Sequence, residues 1–462
     1  MIRSKIKNVI LFAVVIVCVY LSSKVWLQLP DFLNYDTDAG ETDGKNEVVY
    51  ADIWEVVRPV KNIIKYNEMY TVTYSDQYDM WGKTVHIIND AFSDYDESTV
   101  TESAAFPSEY LKFDFSTGIP TEIFTSHMKI DNSKINSTIR SIKNVIIDLE
   151  NTDSIYFYTG ETTVKIKGGA VDTGELLDLV SQFDFEGQTK YSFDQKIGNE
   201  TVQVPVPMEQ TALNPVFVQS ELDVFDTATI NEIAKEYFKK NYDYVRKSVE
   251  VSGNLVYTYR TEKVLKINDE GLLDLYDSAF EPSNVTDIYD SLAAAVNFTK
   301  EFLGFPGSVY LSNVESIQHE GNYGYRYTFS YKIMERPILF SRVRENSALQ
   351  IDVVGKSVVS YKRFIRNIDN SQMDKMNQTQ ILPAADVINK NLDTGEVSPD
   401  GTVSEIKPLK PEMIKDISNI YLGYFDLARI SKEQMLRVVW VVEVKDKSYI
   451  FNAITGTLIE EW

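Results

Sequence analysis

The chain has 462 residues, 44 % of them hydrophobic and 12 % aromatic, which supplies packed cores for about two to four domains and excludes a disordered chain. The formal net charge is −22 at pH 7, and beyond residue 30 lie all 68 acidic residues and all but four of the 46 basic ones. Such a field repels nucleic acid and anionic headgroups, so no nucleic-acid partner is expected.

The first elements are read from charge and apolar runs. Residues 1–7 form a basic tail with Arg3, Lys5 and Lys7. Residues 8–29 are an apolar run interrupted only by Lys24. At a rise of about 1.5 Å per residue the run covers roughly 30 Å, the thickness of a bilayer core, so it predicts a transmembrane helix. Lys24 sits where its stem reaches the headgroups, and Tyr20 and Trp26 suit the interface. The basic flank places the amino terminus in the cytoplasm and the bulk of the chain outside the cell membrane. A cleaved signal peptide is the rival, but no Ala-x-Ala site follows the run. Small residues Ala13, Cys18 and Ser22, with Trp26 above them, mark the helix face expected to meet another membrane helix. Cys18 is the only cysteine, so the outer part has neither a disulfide nor a thiol nucleophile.

Residues 30–47 read as an acidic linker with Gly40 and Gly44. Residues 48–205 read as an N-terminal α+β domain. Two extended segments flank Asn67, and Asp79 to Phe92 repeats apolar residues at helical spacing. Tyr110 to Phe115, Asn144 to Leu149, Ser154 to Tyr158 and Thr162 to Lys167 alternate as strands, and Asp172 to Val180 reads as a capped helix. The prolines Pro205, Pro207 and Pro215 mark a boundary, because proline cannot continue a ladder.

Residues 206–375 read as a central α+β domain and 376–462 as a C-terminal one. Thr229 to Phe238 is an amphipathic helix, followed by strands at Leu255 to Tyr259 and Lys263 to Ile267. The last 180 or so residues show an internal repeat by pattern. Each copy opens with a helix (Thr286 to Leu303; Leu382 to Leu392) and continues in long strands, closing at Gly355 and Gly456. The fold class expected is therefore α+β: a transmembrane helix, then a multi-domain extracytoplasmic part of antiparallel sheets packed by helices.

Chemistry-bearing motifs are few. Asp172-Thr173-Gly174 and Asp393-Thr394-Gly395 have the aspartic-protease triplet, whose two carboxylates share one proton. The first leads into a helix and the second ends one, contexts that read as a cap and a stop. His86, His127 and His319 are in no metal-ligand spacing, and no nucleotide or nucleophile-elbow motif occurs. No catalytic, cofactor or metal residues are assigned, and no enzyme activity is expected. Tyr323-Gly324-Tyr325-Arg326-Tyr327 and Tyr257-Thr258-Tyr259 suit sugar stacking or core packing with cross-strand pairing; the second is the expectation.

Several segments, taken in order, resemble one family. They are the single span with its Trp26, Pro30, Asp31, Phe32 exit, and Asp52-Ile53 with Arg58-Pro59. Next come Glu109 to Phe113 with Ile119 to Phe124, and Asn144 to Asp148 before Ser154 to Phe157. Glu335-Arg336-Pro337-Ile338 and Tyr361-Lys362-Arg363 follow. Together they resemble YycH, also called WalH, of low-GC Gram-positive bacteria. The resemblance implies an accessory regulator of a WalK (YycG)-type sensor histidine kinase that, with the response regulator WalR (YycF), controls cell-wall metabolism. It implies a YycI-like protein and the lipid bilayer as further partners, a three-domain outer part, and last modules that are repeats related to YycI. It carries no cofactor and no catalytic motif. Two other readings stand beside it: an outer module that senses wall fragments or peptides in a concave, aromatic-lined pocket, and a tethered hydrolase in which Asp172 and Asp393 converge.

Overall fold

The computed structural model describes residues 52–462, apart from 77, 132, 209–211, 214–215, 279, 281–286, 342–346, 376–378, 394–406, 428–432 and 446. The expected span over 8–29, with Ala13, Cys18, Ser22 and Trp26, lies outside the described residues. Among those described, no helix is long and apolar enough to cross a membrane.

The first layer is a seven-stranded antiparallel sheet in the order 69–73, 61–66, 110–120, 141–148, 154–158, 163–167, 100–102. Asn67 and Glu68 both take positive φ in the two-residue turn that closes the first hairpin. The helix Met80–Ser93 turns Met80, Trp81, Thr84, Ile87, Ile88, Ala91 and Phe92 inward, the stripe its sequence period implies. Trp81 meets Phe113 and Phe115 at centroid distances of 5.4 and 5.3 Å, and Phe92 meets Phe157 at 5.1 Å. The short helix Thr121–His127 follows Pro120. The helix Gly174–Ser181 begins after Asp172, whose carboxylate accepts from the Gly174 N–H at 2.9 Å.

A second, larger sheet of fifteen strands follows. Its first half runs 246–249, 255–259, 263–267, 273–277, 357–363, 349–354, 322–333, with 309–319 on the far side of 322–333. The helix Ile288–Phe302 packs over this half, with Leu292, Ala295, Val296 and Thr299 buried. Tyr327 is fully buried and its hydroxyl donates to Ile288 O at 2.7 Å, whereas Tyr323 stays 65 % exposed. Tyr323 and Tyr327 share one face of the strand, and burial deepens along it away from the hairpin end, so the tyrosine run supplies both surface and core. Gly324 is required by a close approach. A bulge at Asp352/Val353 brings Val353 O within 2.2 Å of where a Cβ would sit.

The short strand Arg336–Phe340 joins the halves. It pairs antiparallel with Asn322–Ile333 and parallel with Ile417–Asp426. The second half is the meander 417–426, 433–444, 447–452, 458–461, with the helix Ala384–Lys390 at its edge. Trp440 is buried there and its indole donates to Leu382 O at 2.9 Å. The strand Val216–Ser220 pairs with the start of 433–444 and with Arg366–Ile368, tying the chain entering the sheet to its last meander.

The helix Thr227–Phe238 is entered through Asp226, whose carboxylate accepts from the Thr229 N–H at 3.2 Å and from its hydroxyl at 2.7 Å. Asp226→Ala should lower the free energy of unfolding by about 1 kcal/mol, read as a shift in urea midpoint. An unchanged midpoint would mean that tertiary packing alone holds this helix.

Candidate functional site

The seven-stranded layer and the larger sheet meet along a seam held by widely separated residues. Leu311 N–H donates to Val56 O at 2.7 Å. Lys300 pairs with Glu55 at 2.6 Å, and His127 Nδ1 lies 3.0 Å from the Tyr289 hydroxyl. Burial holds the His127 imidazole below its ordinary pKa, against a smaller upward pull from Asp52. Lys61 reaches Asn419 and lies 3.5 Å from Asp114.

Deeper in the larger sheet two arginines are buried. Arg366 Nε donates to Asp426 at 2.8 Å with both side chains fully buried, and it also reaches Ser220 Oγ. Arg363 grips Glu221 through two bonds of 2.6 and 2.7 Å, and donates to Gly304 O at 2.7 Å. These charges are in intramolecular pairs and serve packing.

Three of the concavities among the described residues bear on function. The first, about 210 Å³, lies between the helices 227–238 and 288–302 and the sheet, and is lined by Tyr237, Phe298, Phe302 and Tyr361. It is the aromatic pocket that a ligand sensor would show, with one ion pair already closed within its lining. Lys263 pairs with Asp277 at 2.5 Å, and Tyr237 OH donates to Tyr276 O at 3.0 Å. The second, about 510 Å³, is a groove along the strand Arg336–Phe340, where Arg326 is held bidentate by Asp352 at 2.7 and 2.8 Å.

The third concavity, about 150 Å³, opens on the seam itself and is lined by Arg58, Lys61, Asn62, Asp76, Trp81 and Lys332, among others. Local structure places each. Asn62 lies in the first strand, two residues before Ile64. Alternation therefore turns both to the helix-covered face, where Trp81 sits in the first turn of Met80–Ser93. Asp76 accepts from the Met80 N–H at 2.7 Å and the Trp81 N–H at 3.2 Å, so its carboxylate caps that helix. Burial nevertheless raises its pKa above the ordinary aspartate value. Lys332 comes from the end of the strand Asn322–Ile333 and donates to Tyr74 O at 2.6 Å. Burial brings its ammonium pKa down to about 8, with Arg58 adding to the effect.

Residues 4–178 match the sequence profile of the YycH protein N-terminal domain. The fold is similar to the crystal structure of YycH from Bacillus subtilis: TM-score 0.51, 14 % identity, covering 86 % of this chain and 96 % of that one. Residues 4–178 belong to the YycH N-terminal domain family. An uncharacterized protein from Eubacterium rectale matches over 56 % of this chain and 90 % of its own at 12 % identity and TM-score 0.37. The YpeB C-terminal domain of Bacillus megaterium matches over 51 % and 96 % at 12 % identity and TM-score 0.26. No curated protein matches.

The motifs with catalytic resemblance sit in structural roles. Asp172 opens a helix, and the neighbouring Thr173 is buried with its hydroxyl donating to Asp148 O at 3.1 Å. Asp393 N–H donates to Leu409 O at 2.7 Å; Thr394 and Gly395 lie outside the described residues. His319 packs edge-on against Phe280 and tilted against Tyr276, at centroid distances of 5.4 and 6.0 Å. Among the described residues no three His, Cys, Asp or Glu side chains gather as metal ligands. The seam cavity escaped the sequence reading. Arg58-Pro59 flagged its neighbourhood, but nothing local in sequence joins Asn62 and Trp81 to Lys332.

Proposed function

We propose that this chain is a membrane-anchored extracytoplasmic regulator of a WalK (YycG)-type sensor histidine kinase that controls cell-wall metabolism. It acts with a YycI-like partner, through its membrane helix and its outer-domain contacts. The observation that carries this reading is the family match, which begins at residue 4 and so takes in the apolar run 8–29 together with the seven-stranded layer. The face with Ala13, Cys18, Ser22 and Trp26 packs beside partner helices within the bilayer.

The outer part reads as three domains, 48–205, 206–375 and 376–462. The last two are repeats related to YycI. Support for the repeat is that each runs a helix and then four successively paired antiparallel strands (309–319, 322–333, 349–354, 357–363; 417–426, 433–444, 447–452, 458–461).

A helix contact of about 1–3 kcal/mol biases a two-state kinase by roughly 5- to 150-fold. The test replaces residues 8–29 of the full chain with an unrelated membrane span and reads kinase-dependent transcription. Loss of regulation with normal level and location is expected. Full regulation by the swapped chain would refute the helix role and move the contact to the outer domains.

A further inference from the structure

The seam cavity contains two buried polar atoms with nothing to bond. Asn62 Oδ1 is an acceptor without a donor, and Trp81 Nε1 is a donor without an acceptor. Their residues are 4 % and 3 % exposed. A buried polar group left unpaired is costly, and the large majority in folded proteins have partners. The two orphans line one cavity, so a single occupant satisfies both if it carries an acceptor and a donor.

Charge narrows the occupant further. Arg58, Lys61 and Lys332 face Asp76 and Glu335 around the cavity. Lys61 is engaged by Asn419 and Asp114, and Asp76 is engaged by the helix N–H groups. Lys332 donates only to a main-chain carbonyl, and neither it nor Arg58 touches a carboxylate. These two cations suit a carboxylate group. A cavity of about 150 Å³ is the size that holds a benzene-sized molecule.

We propose that this cavity binds a small carboxylate that carries a neighbouring hydroxyl or amino group, a hydroxy or amino acid. The carboxylate takes the Trp81 indole N–H and the Lys332 and Arg58 cations. The neighbouring donor goes to Asn62 Oδ1. The depressed ammonium pKa of Lys332 fits the same picture, because an anion beside it restores the charge that burial disfavours. The inference does not rest on the kinase reading.

The test uses the full chain in detergent micelles, with lactate, alanine, acetate and inorganic phosphate as probes, followed by calorimetry and by the thermal unfolding midpoint. Lactate or alanine should bind saturably and raise the midpoint. Acetate, lacking the second donor, should bind about tenfold more weakly. Trp81→Phe keeps the ring and removes the donor, and Asn62→Leu removes the acceptor. Each should weaken lactate or alanine binding about tenfold or more while the unliganded chain still unfolds cooperatively. The proposal is overturned if neither lactate nor alanine binds at 10 mM, which would leave the orphans to water. Tighter binding of phosphate than of both acids overturns it too, as does binding that both variants leave unchanged.

Discussion

Asp426→Ala is expected to lower the free energy of unfolding by about 3–5 kcal/mol. Arg366 and Asp426 are both fully buried and meet at 2.8 Å. Removing the carboxylate leaves a guanidinium inside the protein with Ser220 Oγ and Glu270 O as its remaining acceptors. An arginine cannot discard its proton to escape that position. Truncating one partner therefore strands a charge, whereas removing both does not. The double variant Arg366→Met/Asp426→Ala should recover most of the loss. Urea unfolding of the three proteins reads this directly. A single-variant loss below about 1 kcal/mol would mean that water reaches the pair.

Lys332→Met is expected to act in the opposite direction, stabilising the unliganded chain by about 2 kcal/mol near pH 7. Burial lowers the Lys332 pKa from the ordinary 10.5 to about 8, a change that corresponds to about 3 kcal/mol. Losing its bond to Tyr74 O returns about 1 kcal/mol of that. The pH dependence follows from proton counting. Above pH 10.5 neither the folded nor the unfolded chain holds the proton, and Lys332 carries no penalty. As pH falls from 10.5 to 8 the unfolded chain takes up the proton first, so the native state loses stability relative to the variant. Below pH 8 both states are protonated and the difference is constant. The gap between parent and variant urea midpoints should be full at pH 7 and mostly gone at pH 10. An equal gap at both values would show that the effect is packing rather than charge. A charge kept at a cost of this kind is characteristic of sites retained for binding, where stability is given up for function.

Much of the local architecture was legible because it depends on short-range periods. The Met80–Ser93 helix shows a 3.6-residue stripe, and the strands 110–120 and 154–158 follow alternation. The hairpins at Gly355 and Gly456 were legible because only a glycine sits easily at their φ of 60 and 70°. The seam was not legible. Lys61 and Asn419, which meet across it, are 358 residues apart. Lys332 misleads a reader of alternation. It lies in the outward phase of its strand, half-buried between buried Tyr331 and Ile333, and therefore reads as a solvent-facing lysine. It is covered because the seven-stranded layer, distant in sequence, folds over that end. The Ala13, Cys18, Ser22 and Trp26 face belongs to the undescribed segment and stands as a proposal.

The parallel pairing of Arg336–Phe340 with Ile417–Asp426 has a mechanical consequence. It stitches two helix-backed sheets into one continuous ladder of main-chain bonds, with the Arg366–Asp426 pair beside the join. A joint of that kind resists bending, since any flexure there must break several N–H to carbonyl bonds at once. A push delivered at one edge of the ladder arrives at the other as displacement of the whole slab, which makes this part of the molecule a stiff lever rather than a hinged one.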